Sequence, residues 1–451
     1  MNLSATSGHD DYSNNPGFIE SQKEFRALLF DTARSAGPTR VGSPVDHEEN
    51  LSRADPERPT TASSSYIKTV VSTGERVLWL QNYINEVAPW LDMFDAQQAF
   101  GRNVPMLAKT SAPLTYAILA ISARQMERQK KLQGEHNSLQ LYHEAITSLT
   151  PQLQARDPSI LAACVILCCL EMMSAAPRNW RKHLDGCAAL FESHGIHGFV
   201  TGIPQAVFWC YARMDLCASI MSEGKQSSVL ALESWLPPNT MPSQASDLFR
   251  SSASADMYAN YAVWLCARVC HLSWTRRRDH SVPHCESNRQ PFIHRWHSLW
   301  VEVQEWAQNR PEEMRELDFV VAENSQRDVF PFILFAAPCA ISSNQLYHTS
   351  CLLLLDMKPP SINLGNVNRL SSGLWHARRI CGISMTNSHH GCLNNAIQPL
   401  WLAGKLLSHP TEHRLIVDLI KQIETETGWS GTWRLRDLRD LWGYDKEDLP
   451  L

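Results

Sequence analysis

Several groups of residues in the 451-residue sequence carry side chains from which an enzyme or a metal site is built. His143-Glu144 opens a zinc-protease pattern on a segment of helical periodicity. The position four after the histidine is Thr147, so no second imidazole shares that face. Cys266-x3-Cys270 followed by His280-x3-His284 alternates soft and borderline ligands. The interval between the pairs is short for a finger, and the surrounding stretch AVWLCARVC favours core packing. Asp10-Asp11 falls in a polar arm that cannot hold it in place. Asp437 and Asp440 stand among Arg434, Arg436 and Arg439 and read as a surface ion-pair ladder. His389-His390 and the histidines around Gly195–Gly198 lack companion carboxylates in the local sequence and read as loop or cap residues. No Gly-x-Ser-x-Gly elbow, phosphate-binding loop or dinucleotide fingerprint occurs. The expectation is no catalytic constellation, no resident metal and no cofactor.

The elements that would position any site are helical. Leu80, Tyr83, Ile84 and Val87 recur at i, i+3, i+4, i+7, as do Leu114, Ala117, Ile118 and Ile121, and Tyr142, Ala145, Ile146 and Leu149. Leu161–Met173 is apolar on all sides, which predicts a central helix packed all round. Further stripes pass through Trp180, His183, Leu184, Cys187 and Phe191, through Phe292, Trp296 and Leu299, and through Leu370, Leu374, Ala377 and Cys381. The last two run through Ile397, Leu400, Trp401 and Gly404, then Ile416, Leu419, Ile420 and Ile423. No convincing run of alternating strands appears, so the fold class is all-α. Pro237–Ser252, Thr275–Pro291 and Lys358–Asn366 read as the longest internal loops.

Composition narrows the function classes. The net charge of −5 excludes a chain whose overall charge drives it onto nucleic acid or anionic membrane. The short basic clusters Arg276-Arg277-Arg278 and Arg128–Lys131 border helix ends, where cations complement the macrodipole, and either could serve nuclear import. No apolar run approaches the roughly 20 residues that span a bilayer, and the first residues lack the pattern of a signal peptide. Thirteen cysteines, mostly inside apolar helical stretches, read as small buried hydrophobes in a reducing compartment.

Residues 1–70 read as a flexible, linker-like arm. Ten acidic and six basic residues before position 66 carry −4 of the total charge there. Inside the arm, Phe25, Leu28 and Leu29 within Phe18–Ala36 have helical spacing. They are expected to form a transient helix or an amphipathic segment that docks in a partner's groove. Residues 71–451 read as one helical body.

The wording of the helices, in order, carries a resemblance. LQNYINEVAPWLDMFD at 80–95, with Pro89 and Trp90, is followed by LTYAILAISAR at 114–124 and by Trp180-x-x-His183-Leu184-x-Gly186. Next comes FWCYARMD at 208–215, with Trp209 and Arg213. RRICGISMTNSHHGCLNNAIQPLWLAGKLL begins at Arg378 and contains Gly382, Trp401 and Gly404. TGW at 427–429 contains Gly428 and Trp429, and LRDLWGY at 438–444 contains Trp442 and Gly443. This set resembles the fungal-specific transcription factor domain, the helical regulatory region of binuclear zinc-cluster regulators. The likeness covers about residues 75–445, with further likeness in FRALLFDTARSAGPTR at 25–40.

The resemblance implies a nuclear regulator with no enzymatic activity, whose motif residues are architectural: the Trp anchors packing, the His bonds a neighbouring backbone group, and the Gly allows close helix approach. It also implies association as a homodimer or with a DNA-bound regulator, and room for a small-molecule effector. In the family a six-cysteine module reads DNA, whereas the first cysteine here is Cys164. The expectation is therefore that this polypeptide lacks the zinc cluster and meets DNA indirectly. A helical sensor or scaffold unconnected with transcription, or an all-α enzyme, are the rival readings.

Overall fold

A computed structural model describes residues 15–36, 72–129, 137–153, 157–174, 177–252, 254–280, 289–320, 329–364 and 369–444. Helix α1 is Pro16–Ala36. Helix α2, Thr73–Asn82, starts in a reciprocal cap in which Ser72 Oγ accepts from the Glu75 amide and Glu75 accepts from the Ser72 amide. It runs on through a π-helical stretch, Tyr83–Val87, into the single turn α3, Ala88–Leu91, so that Pro89 lies just after the π-helical turn. Then follow α4 Val104–Ala108, α5 Ala112–Arg128, α6 Asn137–Leu149, α7 Pro158–Ser174, α8 Pro177–His194 and α9 Ile203–Met221. The second half contains α10 Ala245–Ser251, α11 Ala255–His280, α12 Arg289–Gln308, α13 Pro338–Asp356, α14 Gly373–Thr386, α15 His390–Gly404, α16 Pro410–Thr427 and α17 Thr432–Trp442.

The protein is all-α, and two buried helices organise it. Every residue of α7 from Ser159 to Ser174 is buried, as an apolar helix without a polar face requires. Helices α5, α8 and α9 pack around α7, and α6 lies along α5. Helix α13 plays the same part in the second half, against α11, α12, α14 and α15. It escapes a search for apolar runs because polar residues interrupt its buried apolar ones: along with Ile341, Tyr347, Cys351 and Leu354 it buries the polar Ser342, Ser343, Asn344, Gln345, His348 and Thr349. Their demands are met locally. The Asn344 amide donates to the carbonyls of Ala340 and Met314, and Gln345 donates to Ser384 Oγ at 2.8 Å.

One short ribbon departs from the helical expectation. Strands β1 (Asp318–Val320) and β2 (Phe332–Leu334) pair antiparallel with Phe319 opposite Ile333. Ile333 points into the core, and its amide donates to Thr386 Oγ1 at the end of α14. Asn387 adds bonds to Ile333 and Phe335, so side chains replace the missing third strand. The Pro237–Ser252 segment is also more structured than a loop. Helix α10 seats Phe249 in an aromatic cluster with Phe199, Trp209, Tyr261 and Trp264.

The C-terminal helices close back onto the first half. Gln125 donates to the Thr427 carbonyl, and Arg128 donates to the Gly428 carbonyl and pairs with Glu424. A guanidinium is thereby placed at the C-terminus of α16, where the helix dipole favours it. Trp90 meets Trp429 edge to face at 6.2 Å across the same junction. No helix among the described residues is long and apolar enough to cross a membrane.

Candidate functional site

Helix α1 lies in a groove made by α6 and α8. Phe18, Phe25 and Leu29 are fully buried there and Leu28 is partly buried. The Phe25 ring meets the His183 ring edge-on at 5.3 Å, and Phe18 lies 5.2 Å from Tyr142. The groove that takes this apolar face thus belongs to the same chain, and residues 16–36 are part of the folded body rather than of a linker. Gly186 makes the contact feasible: a Cβ there would collide with the Leu29 side chain.

Beneath α1 sits a carboxylate closed off from water. Glu171 of α7 has no solvent exposure. Tyr142 of α6 donates its hydroxyl to Oε1 at 2.5 Å, and Gln22 of α1 donates to Oε2 at 3.1 Å. His183 Nδ1 of α8 lies 2.5 Å from Oε1, at ion-pair distance though off the line of a good hydrogen bond. Three helices therefore meet on one buried side chain. His183 is paired with a carboxylate, a correction to the backbone contact expected for it. Next to it, Ser21 Oγ and His143 Nδ1 are 3.1 Å apart, which adds a second polar tie from α1. With Glu171 and His183 both sealed, no substrate reaches this cluster, and it works as a polar clamp.

The other expected residues are dispersed as packing and capping points. Leu184 is buried in the core. Trp209 donates its indole N–H to the Gly198 carbonyl at 2.7 Å. Arg213 is buried, donates to the Leu91 carbonyl at 2.6 Å and stacks over Phe94, tying α9 to α3. Gly382 admits the Pro331 carbonyl, which a Cβ would strike. Trp401 lies under Arg434 at 3.7 Å, and Trp442 stacks on His413 at 3.8 Å while donating to the Gly404 carbonyl. Gly428 and Gly443 end α16 and α17 with φ of 75° and 73°, the left-handed closure that glycine supplies. The backbone of Trp180 belongs to α8, and its side chain lies outside the described residues. Cys266 and Cys270 are buried inside α11, while His284 lies outside the described residues. No group of three or more potential metal ligands comes together among the described residues.

A second polar cluster went unread in the sequence. His348 Nδ1 and His376 Nδ1 are 2.8 Å apart and both rings are buried. His376 Nε2 faces the Leu370 carbonyl at 3.0 Å and so carries the proton; its Nδ1 must then accept from His348 Nδ1–H. That leaves His348 Nε2 to accept from Arg379 Nε at 3.3 Å, and Arg379 is held by Glu316. The chain of bonds is complete only with both imidazoles neutral. Burial pushes His376 down to about 4, with Arg379 adding to it and the Leu370 carbonyl opposing; burial, His376 and the nearby arginines lower His348 further.

This pair makes stability pH-dependent. Between pH 6.5 and about 4 the unfolded chain takes up a proton on His376 that the folded chain refuses, so folding stability falls as pH falls. Asp92 and Asp215 act oppositely. Burial raises each to about 7 against backbone donors, so they strengthen folding as pH falls from about 7 toward 3.8. The difference between the wild type and a His348→Leu/His376→Leu variant removes these carboxylates from the comparison. Urea unfolding at pH 7 and pH 5 should show the wild type losing about 2 kcal/mol relative to the variant, from the His376 shift alone. Parallel pH profiles would show that the pair does not stay neutral.

With the geometry in place, comparison with known proteins gives it a class. Residues 78–443 match the model of the fungal specific transcription factor domain, and the chain belongs to that family. It is 22% identical over 480 aligned residues to the Transcription activator AMTR1 of Alternaria alternata, an alignment taking in 80% of this chain and 62% of that protein. The chain thus spans less than two thirds of the length of this curated relative. No solved structure matches. The family match begins at residue 78, so the docked helix α1 stands outside it.

Proposed function

We propose that the chain is a nuclear regulator of transcription whose helical body acts as an interaction module, associating with a second copy or with a DNA-bound regulator. The family match over residues 78–443 carries the reading, and the likeness to a protein named as a transcription activator agrees with it. The sealed polar clusters support a regulatory role over catalysis, because neither Glu171 nor the His348–His376 pair is open to a substrate. Contact with DNA through such a partner fits the net charge of −5, which gives the chain no overall attraction to nucleic acid.

Two measurements test this. Fused to a heterologous DNA-binding module, the chain should change output from a reporter bearing that module's site, and size-exclusion chromatography with light scattering should show self-association or a complex with a DNA-bound regulator. The purified chain alone should not retard DNA in a sequence-specific, salt-sensitive manner. An inert fusion, or tight specific binding by the chain alone, contradicts the proposal.

A further inference from the structure

A cleft of about 250 Å³ opens between the 3₁₀ turn Leu232–Trp235 and helices α11 and α12. Its floor is apolar, made by Leu236, Trp264, Leu272 and Leu299. The charged groups around it divide into those already committed and those that are not. Arg268 stacks over Trp264 at 4.4 Å and pairs with Glu302 at 2.5 Å. His271 Nδ1 is bound to Ser227 Oγ at 2.9 Å.

Two charges at the rim remain unpaired. Glu233, on the turn, makes no ion pair or side-chain hydrogen bond among the described residues, and Arg295, on α12, bonds only the Pro291 carbonyl of its own helix at 3.3 Å. Both are exposed, and both act on His271 between them: burial lowers its proton affinity most, Glu233 raises it and Arg295 lowers it. One unpaired carboxylate and one unpaired guanidinium therefore face a small cleft with an apolar floor.

We infer that this cleft binds a small zwitterion with an apolar body, an α-amino acid bearing a large apolar side chain. The carboxylate of such a ligand suits the planar guanidinium of Arg295, its ammonium suits Glu233, and its side chain covers the leucine and tryptophan floor. A simple acid would pair with Arg295 and leave Glu233 unmatched, and a simple amine would pair with Glu233 and leave Arg295 unmatched. The cleft is smaller than most drug-sized pockets, which start near roughly 300 Å³, and this sets the ligand class at single amino acids. Bound there, the ligand joins the 3₁₀ turn to α12 across α11.

The test is calorimetric titration of the full chain with L-phenylalanine and L-leucine, alongside 3-phenylpropionate, which lacks the ammonium, and phenethylamine, which lacks the carboxylate. The amino acids should bind at least about tenfold more tightly than either analogue, a difference of about 1.4 kcal/mol. In Glu233→Gln the preference for L-phenylalanine over 3-phenylpropionate should vanish. In Arg295→Gln the preference over phenethylamine should vanish. Both side chains are exposed, so neither change threatens the fold. Absence of amino-acid binding up to about 10 mM, equal binding of the analogues, or affinities unchanged in both variants overturns the inference. None of these outcomes bears on whether the body regulates transcription, which the reporter fusion tests separately.

Discussion

Replacing Glu171 with Ala should cost about 3–5 kcal/mol of folding stability, the range for removing one member of a buried ionic cluster. The change takes away the acceptor of the Tyr142 and Gln22 hydrogen bonds and the carboxylate beside His183, and each of these side chains then faces an interior with no water to replace it. The methylenes lost from a fully packed helix add a cavity contribution of the same sign. The measurement is the urea midpoint at neutral pH. Glu171→Gln separates charge from shape: it preserves volume and one carbonyl acceptor, so it should cost clearly less than alanine. Equal midpoints for wild type and Glu171→Ala would show that the cluster contributes no stability. Because Gln22 is one of the two hydrogen-bond donors, amide exchange within residues 16–29 should quicken in the alanine variant by more than global destabilisation alone explains.

The helices were legible to the extent that their buried faces are apolar. Leu161–Met173 has no polar face, so its central position follows from composition alone, and α7 occupies it. Helix α13 hides for the opposite reason. Beside apolar residues such as Ile341 and Leu354 it buries serines, an asparagine, a glutamine and a histidine, whose polar groups find partners in Met314, Ser384 and His376. Those partners lie 28 to 39 positions away in sequence. Likewise β2 is three residues long, and its outer edge is satisfied by Thr386 and Asn387, so no alternating pattern announces it.

The polar clamp was half visible. His183 and Gly186 stand out in the run from Trp180, but Glu171 sits in a segment where one charge reads as the end of an apolar run. Its meaning comes from Tyr142 and Gln22, 29 and 149 residues distant. The acidic, proline-containing text around α1 suggests a linker, because average composition masks a single buried stripe. The spacing of Phe25, Leu28 and Leu29 marked the helix, and only the shape of the groove shows where that face goes.

The second prediction turns on that shape. Gly186→Ala in an open helix interior should stabilise the protein by about 1 kcal/mol, since alanine is the better helix former. Here the sign reverses, because the new Cβ enters space held by Leu29 Cβ and Cδ1. Either α8 or α1 must give way, and α1 is the weaker body: a single helix held by one face and by the side chains of Gln22 and Ser21. Gly186→Val should therefore release α1 while α5, α7 and α9 stay folded. Amide exchange at residues 18–29 should speed up at least about tenfold, equivalent to about 1.4 kcal/mol, with little change in α7. Shortening the opposing side chain decides between a steric and a general cause. Leu29→Ala alone leaves a cavity and loosens α1, yet in combination with Gly186→Ala it makes room for the new methyl. The pair should be less damaging than the sum of the single changes, a positive coupling of about 1 kcal/mol for residues in direct contact. Strict additivity, or faster exchange throughout α7, would place the effect of Gly186 in the helix itself. Coupling confined to α1 would establish that this glycine is there to admit the N-terminal helix, and a regulator bearing Gly186→Val would then present an empty groove to any partner able to fill it.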